Sequence, residues 1–160
     1  MWPFPTGTRG AIPTGMISDL LRRLLAPAPA PLSQLDARLA LAALLVRLAK
    51  TDGHYAAAEM IQIDTILATR FALGKEDAIA LRVQAEFLEE EAPDTVRFTR
   101  ALKEAVAYED RTELVAAMWQ VVLADGVRDV EEDALMRTVV SLLGISDQDS
   151  NRIRLSVPKP

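Results

Sequence analysis

Apolar residues recur along this chain at spacings of three and four, and no stretch alternates apolar and polar in the manner of a half-buried strand. From Ser18 to Ala26 the pattern predicts a short amphipathic helix, with Leu20, Leu21, Leu24 and Leu25 on one side and Arg22 and Arg23 opposite. The alternating Ala-Pro run from Ala26 to Pro31 excludes helix and favours an extended spacer. Leu35 to Thr51 is apolar nearly all round, so it is expected to be the central, buried helix, ended by Asp52-Gly53. Ala57 to Phe71 is predicted to follow, with Ile61, Ile63, Ile66, Leu67 and Phe71 available to the core and a stop near Gly74. Lys75 to Ala92 is the fourth predicted helix. Pro93-Asp94 supplies a stop and an N-cap for Thr95 to Val106, which carries Val96, Phe98, Leu102 and Val106 at helical spacing. Thr112 to Leu123 comes next and ends at Asp125-Gly126. Asp129-Val130-Glu131-Glu132 has the spacing of a capping box at the start of Val130 to Leu143, and Gly144 fits the left-handed residue after it. Ser146 opens a short last helix with Ile153 and Leu155 expected on its inner side.

Laid over one another, Leu45 to Gly53 and Met118 to Gly126 align their Asp-Gly pairs at an offset of 73 positions. The match continues past the turn: Glu59 falls on Glu132, Ile63 on Met136, Ile66 on Val139 and Leu67 on Val140. Two copies are too few for a solenoid, so two helix–Asp-Gly–helix hairpins are expected to pack pseudo-symmetrically about one core, bridged by Lys75 to Val106. The fold class expected is a single-domain, all-α bundle of seven to eight helices over residues 35–156. Residues 16–34 form a helix and linker before it, 157–160 a tail, and 1–15, with three prolines and three glycines, a segment without regular structure.

Asp52 and Asp125 fall at the C-terminal ends of helices, where the helix dipole disfavours a carboxylate by about 0.3–1 kcal/mol. Glu59 and Glu132 lie seven residues on, in the first turn of the returning helix, so each hairpin gathers a carboxylate pair that calls for a cation. One reading is an oxygen-ligand site for a hard divalent cation, built from Asp125, Glu132 and Asp129 with Asp52 and Glu59 contributed by the other hairpin. The other is a turn-and-cap arrangement in which Arg47, Lys50 or Arg128 neutralises the carboxylates. An EF-hand is excluded because Gly126 directly follows Asp125, and a di-iron bundle is disfavoured because neither repeat has a Glu-x-x-His pair.

Three segments carry a resemblance: Ala124 to Glu132 (Ala-Asp-Gly-Val-Arg-Asp-Val-Glu-Glu), Thr51 to Glu59 (Thr-Asp-Gly-His-Tyr-Ala-Ala-Ala-Glu), and Arg97-Phe98-Thr99 between them. Over roughly Leu35 to Leu155 the chain resembles the TerB-like domains, named for tellurite resistance and related to the N-terminal region of a membrane-bound DnaJ-type co-chaperone. The resemblance implies an all-helical fold, an acidic cluster suited to divalent cations that maps onto Asp52, Glu59, Asp125 and Glu132, and association with metal or chemical stress and with membrane-linked complexes. The first repeat departs from the fuller pattern, because Tyr55-Ala56-Ala57-Ala58 has no acidic cap.

Composition narrows the chemistry further. The chain has 160 residues, no cysteine and one histidine, which removes disulfides, thiolate sites and any multi-histidine metal site within one chain and is compatible with a cytoplasmic location. His54 is read as a solvated loop residue. A formal charge of −5 opposes nucleic-acid binding, and no apolar run approaches the roughly 20 residues of a membrane span, which leaves peripheral association open. No Gly-rich phosphate loop or nucleophile elbow occurs, so the chain is expected not to be an enzyme. On the strength of the resemblance, its first expected role is a stress-associated module binding Ca²⁺, Mg²⁺ or Mn²⁺ and a protein partner. The alternative is a plain scaffold that binds a protein through an apolar groove, with no cofactor; the Leu20–Leu25 helix would cover that groove or dock elsewhere. Trp119 is expected in the core and Glu89-Glu90-Glu91 on a solvated face, while Arg97 and Arg100 are expected to pair with Glu104 or Glu90.

Overall fold

The helix made almost wholly of Ala, Leu and Val is the axis of the molecule. Residues 39, 40, 42–46, 48 and 49 of that helix are all buried, as an element apolar on every side must be if it is to stay out of water. Around it the chain runs as α1 (Thr14–Leu24), α2 (Gln34–Ala49), α3 (Ala57–Phe71), α4 (Lys75–Glu91), α5 (Thr95–Ala105), α6 (Tyr108–Val122), α7 (Val130–Leu142) and α8 (Asp147–Ser156). The computed structural model describes residues 14–26, 33–50, 55–92, 94–123 and 130–157, and among them there is no strand. The segment expected to lack structure and the Ala-Pro spacer lie outside the described residues, apart from Thr14, Gly15 and Ala26.

Side-chain caps open three of the helices, those at Asp94 and Ser146 as expected, while the expected capping box at Asp129 lies outside the described residues. Ser33 Oγ accepts from the Asp36 backbone N–H at 3.1 Å, Asp94 Oδ1 from that of Arg97 at 3.0 Å and Ser146 Oγ from that of Asp149 at 3.0 Å, opening α2, α5 and α8. α3 and α7 end alike. The Leu73 N–H reaches back to the Ala68 carbonyl and the Ile145 N–H to the Val140 carbonyl, each at 3.1 Å, over a left-handed residue. In α7 that residue is Gly144, at φ 74°, as expected. In α3 it is Ala72, at φ 53°, and Gly74 instead takes an extended conformation as the N-cap of α4, so the stop lies two residues earlier than the glycine suggests.

The repeat is longer than the two hairpins. α2 and α6 end 73 positions apart, at Ala49 and Val122, and α3 and α7 begin 73 apart, at Ala57 and Val130. α4 packs on α2 and α3 as α8 packs on α6 and α7, so each unit has three helices and α5 alone joins them. α2 and α6 meet at the centre. Ile63, Ile66 and Leu67 and their counterparts Met136, Val139 and Val140 are all buried, each such side chain contributing about 1.5–3 kcal/mol of apolar burial.

Three expected core positions are wrong, and helical geometry explains each. Ile61 is 64% exposed because it points about 200° away from Ile63; Leu155 is 70% exposed for the same reason relative to Ile153, and Val157 takes the inner place. Val96 is likewise exposed, while Phe98 and Leu102 are fully buried. Two helices start early. α1 gains a turn because Ile17 extends its buried stripe of Leu20, Leu21 and Leu24, and α6 begins at Tyr108, with Glu109 and Asp110 in a first turn whose dipole favours them. α1 docks on α4 and α5.

Candidate cation site at the hairpin ends

Each hairpin end is reached by a buried helix and left by a helix whose first turn carries a glutamate. Glu59 sits in the first turn of α3, partly buried; Glu132 is in the first turn of α7, with its side chain outside the described residues. Asp52, Asp125 and Asp129 also lie outside the described residues. Among the described residues no group of three acidic or histidine side chains converges on a common point. Around the expected set the structure fixes only the flanking helices: connections of equal length, 50–56 and 123–129, join α2 to α3 and α6 to α7.

Beside the first of these connections lies a buried ionic cluster. Glu89 on α4 accepts from Arg47 Nε at 3.1 Å and from Lys50 Nζ at 2.7 Å, the two cations of the last turn and C-cap of α2. Arg47 Nη2 also donates to the Glu89 carbonyl at 3.1 Å, and the guanidinium lies 5.9 Å from the centre of the Phe98 ring. The Glu89 side chain is 11% exposed. Glu89 is thus a buried structural anion, which corrects the expectation of a solvated face for Glu89-Glu90-Glu91. The signal was present in the spacing: Ala78, Ala85, Leu88 and Glu89 share the buried side of α4. Lys50, the cation nearest along the chain to Asp52, is engaged here.

A second cluster ties α3 to α4. Arg82 Nε donates to Asp64 Oδ1 at 2.6 Å and Arg82 Nη1 to Glu86 Oε2 at 2.8 Å, in surroundings where the Arg82 side chain is 12% exposed. Burial alone would lower the Arg82 pKa, but the hydrogen bonds and charges of Asp64 and Glu86 outweigh it and push the value up. Tyr55, the first described residue after Asp52-Gly53, buries its hydroxyl beside Glu86 and Arg82 without a hydrogen bond of adequate geometry. Burial, and then the Glu86 carboxylate, hold that hydroxyl above the ordinary tyrosine value, with Arg82 opposing. Lys50 Nζ lies 5.7 Å from the centre of the Tyr55 ring, so the two clusters adjoin under one hairpin end. Neither cluster was foreseen as a unit, because both depend on which helices become neighbours.

Trp119 is buried as expected, its Nε1 donating to Ser150 Oγ at 3.2 Å. Arg97 and Arg100 are exposed and, among the described residues, pair with neither Glu90 nor Glu104. His54 lies outside the described residues. Also among the described residues, no helix is long and apolar enough to cross a membrane.

Fold and repeat together define an all-α bundle of two related three-helix units whose hairpin ends carry Asp-Gly and glutamate. A family model described as tellurite resistance protein TerB matches residues 38–155, from the first turns of α2 to the last turn of α8, and the chain belongs to this family. No curated protein and no solved structure matches it.

Proposed function

We propose that this TerB-family chain is a non-enzymatic, stress-associated module whose packing or partner affinity is set by a divalent cation, Ca²⁺, Mg²⁺ or Mn²⁺, held by Asp52, Glu59, Asp125, Asp129 and Glu132. The observation that carries this reading is the register of the repeat. Helix ends, helix starts and the two Asp…Glu pairs all recur at one offset, so the two pairs stand at equivalent positions along the two units, with Asp129 an addition of the second. Carboxylates gathered at helix C-termini repel each other and the dipole, and an oxygen-bound cation relieves both costs. Lys50 supports the same reading, because its pairing with Glu89 removes one cation that would otherwise neutralise Asp52. A bound ion would lock α2 to α3 and α6 to α7 at the ends of the central helix pair, and partner affinity would follow its occupancy.

The test is a thermal melt of chelator-stripped full chain with and without each ion. At roughly 100 times the dissociation constant, native-state binding adds about 2.7 kcal/mol, a rise of about 5–10 °C for a domain of this size. The Asp125→Asn, Glu132→Gln double variant should lose the rise while keeping the metal-free midpoint within a few degrees. A midpoint that no ion moves would overturn the proposal.

A further inference from the structure

The two units are not equally covered. α5 packs against α7 and α2, burying Phe98 and Leu102 completely. Its Lys103 extends to the C-terminus of α7, where Lys103 Cε would lie 3.1 Å from a Cβ on Gly144, and the Arg111 guanidinium reaches the same point. Under the repeat α7 corresponds to α3 and α2 to α6, so the matching groove lies between α3 and α6. Among the described residues no helix fills it. It is an open cleft of about 210 Å³, floored by Leu41, Leu45, Leu67 and Leu114. A cavity of about 150 Å³ already accepts a benzene ring, so there is room for an aromatic side chain.

The rim is charged and divided. Arg38, the counterpart of Arg111, and Arg70 stand on the α2–α3 wall; Asp110 and Glu113 stand on the α6 wall. Arg38 lies 5.1 Å from the centre of the Phe71 ring and Arg70 donates to the Glu113 carbonyl, yet among the described residues no ion pair joins the two walls. α1, the amphipathic helix that precedes the repeat, packs on α4 and α5 instead.

We propose that this cleft receives an amphipathic helix of a partner protein built on the plan of α5. An aromatic and an aliphatic residue four positions apart enter the floor, as Phe98 and Leu102 do in the matching groove. At the register of Lys103 the partner carries an acidic residue, because the cleft presents Arg38 and Arg70 there. On its other flank it carries a basic residue toward Asp110 and Glu113. This site is separate from the hairpin ends and does not depend on a cation.

The probe is a fluorescein-labelled peptide copying residues 94–106 with Lys103 and Glu104 exchanged, titrated against the full chain by fluorescence anisotropy. Saturable binding is expected, weakened at least about tenfold by Asp110→Lys with Glu113→Lys, and equally by Ala37→Trp, which fills the cleft from α2. The peptide in its native order should bind more weakly than the exchanged one. Circular dichroism and melts establish that the variants are folded. Absence of binding to folded protein, or binding that the variants leave unchanged, overturns the proposal. So does binding seen only after residues 1–13 are removed, which would make that segment the occupant. Self-association abolished by Ala37→Trp would make a second copy the occupant and would equally overturn it.

Discussion

Replacing Glu89 by glutamine removes the carboxylate that Arg47 and Lys50 share while nearly preserving volume. Glu89 accepts from both cations at 3.1 and 2.7 Å, and the exposures of the three side chains are 16%, 34% and 11% for Arg47, Lys50 and Glu89. Breaking a buried ion pair by removing one member costs about 3–5 kcal/mol, because the remaining charge stays desolvated. Lys50 is a third exposed and regains water when released, which trims the expected loss to about 2–4 kcal/mol. That is a large share of the roughly 5–15 kcal/mol that holds a domain of this kind together. Replacing all three by methionine should cost less than Glu89→Gln alone, since an apolar substitute pays no desolvation. Urea denaturation at neutral pH reads both, with the slope checked for constancy so that midpoints convert to free energies. A Glu89→Gln loss below about 1 kcal/mol would mean that the cluster is solvated, as the Glu-Glu-Glu run first suggests.

The two left-handed helix ends should respond oppositely to one exchange. Gly144→Ala should destabilise by about 1–2 kcal/mol, having a φ of 74° and Lys103 Cε at 3.1 Å from the new Cβ, whereas Ala72→Gly should stabilise by about 0.5–1 kcal/mol; urea midpoints moving the same way would contradict this. Tyr55→Phe should change stability at pH 7 by less than about 0.5 kcal/mol, because the hydroxyl has no hydrogen-bond partner to lose. Its contribution to pH dependence has a definite sign. With a native pKa above the ordinary 10.0, Tyr55 contributes fully below pH 10 and loses that contribution as pH rises toward the native value, so the wild type should lose stability above pH 10 more steeply than the phenylalanine variant. Parallel alkaline slopes in thermal melts would show that the hydroxyl is not held up by burial.

Element order and fold class were legible because Ala, Leu and Val repeat at helical spacing and because Asp94, Ser146 and Gly144 each act locally. The repeat was legible from Asp52-Gly53 and Asp125-Gly126, although its true extent was not: α4 and α8 share almost no residues, and only packing shows them to be counterparts. Glycine misled at Gly74, where Ala72 took the strained conformation. Faces were misjudged where one apolar residue, Ile61 or Leu155, sat next to a genuine stripe. Of the candidate site, the spacing of each Asp from a Glu seven residues on is a feature of the sequence, and Asp52 and Asp125 themselves lie outside the described residues. The Arg47–Lys50–Glu89 cluster was not legible, since residues 39 and 42 positions apart meet only when α4 lies along α2.

The most direct test of the cation reading is calorimetric titration of chelator-stripped full chain with Mn²⁺, repeated with Ca²⁺ and Mg²⁺, on the wild type and on Asp52→Asn with Asp125→Asn. Saturable binding of at least one ion by the wild type is expected, at an integral stoichiometry, with its loss in the variant. Titrations of folded wild-type protein that release no binding heat with any of the three ions at several temperatures, with no accompanying rise in melting temperature, would contradict it.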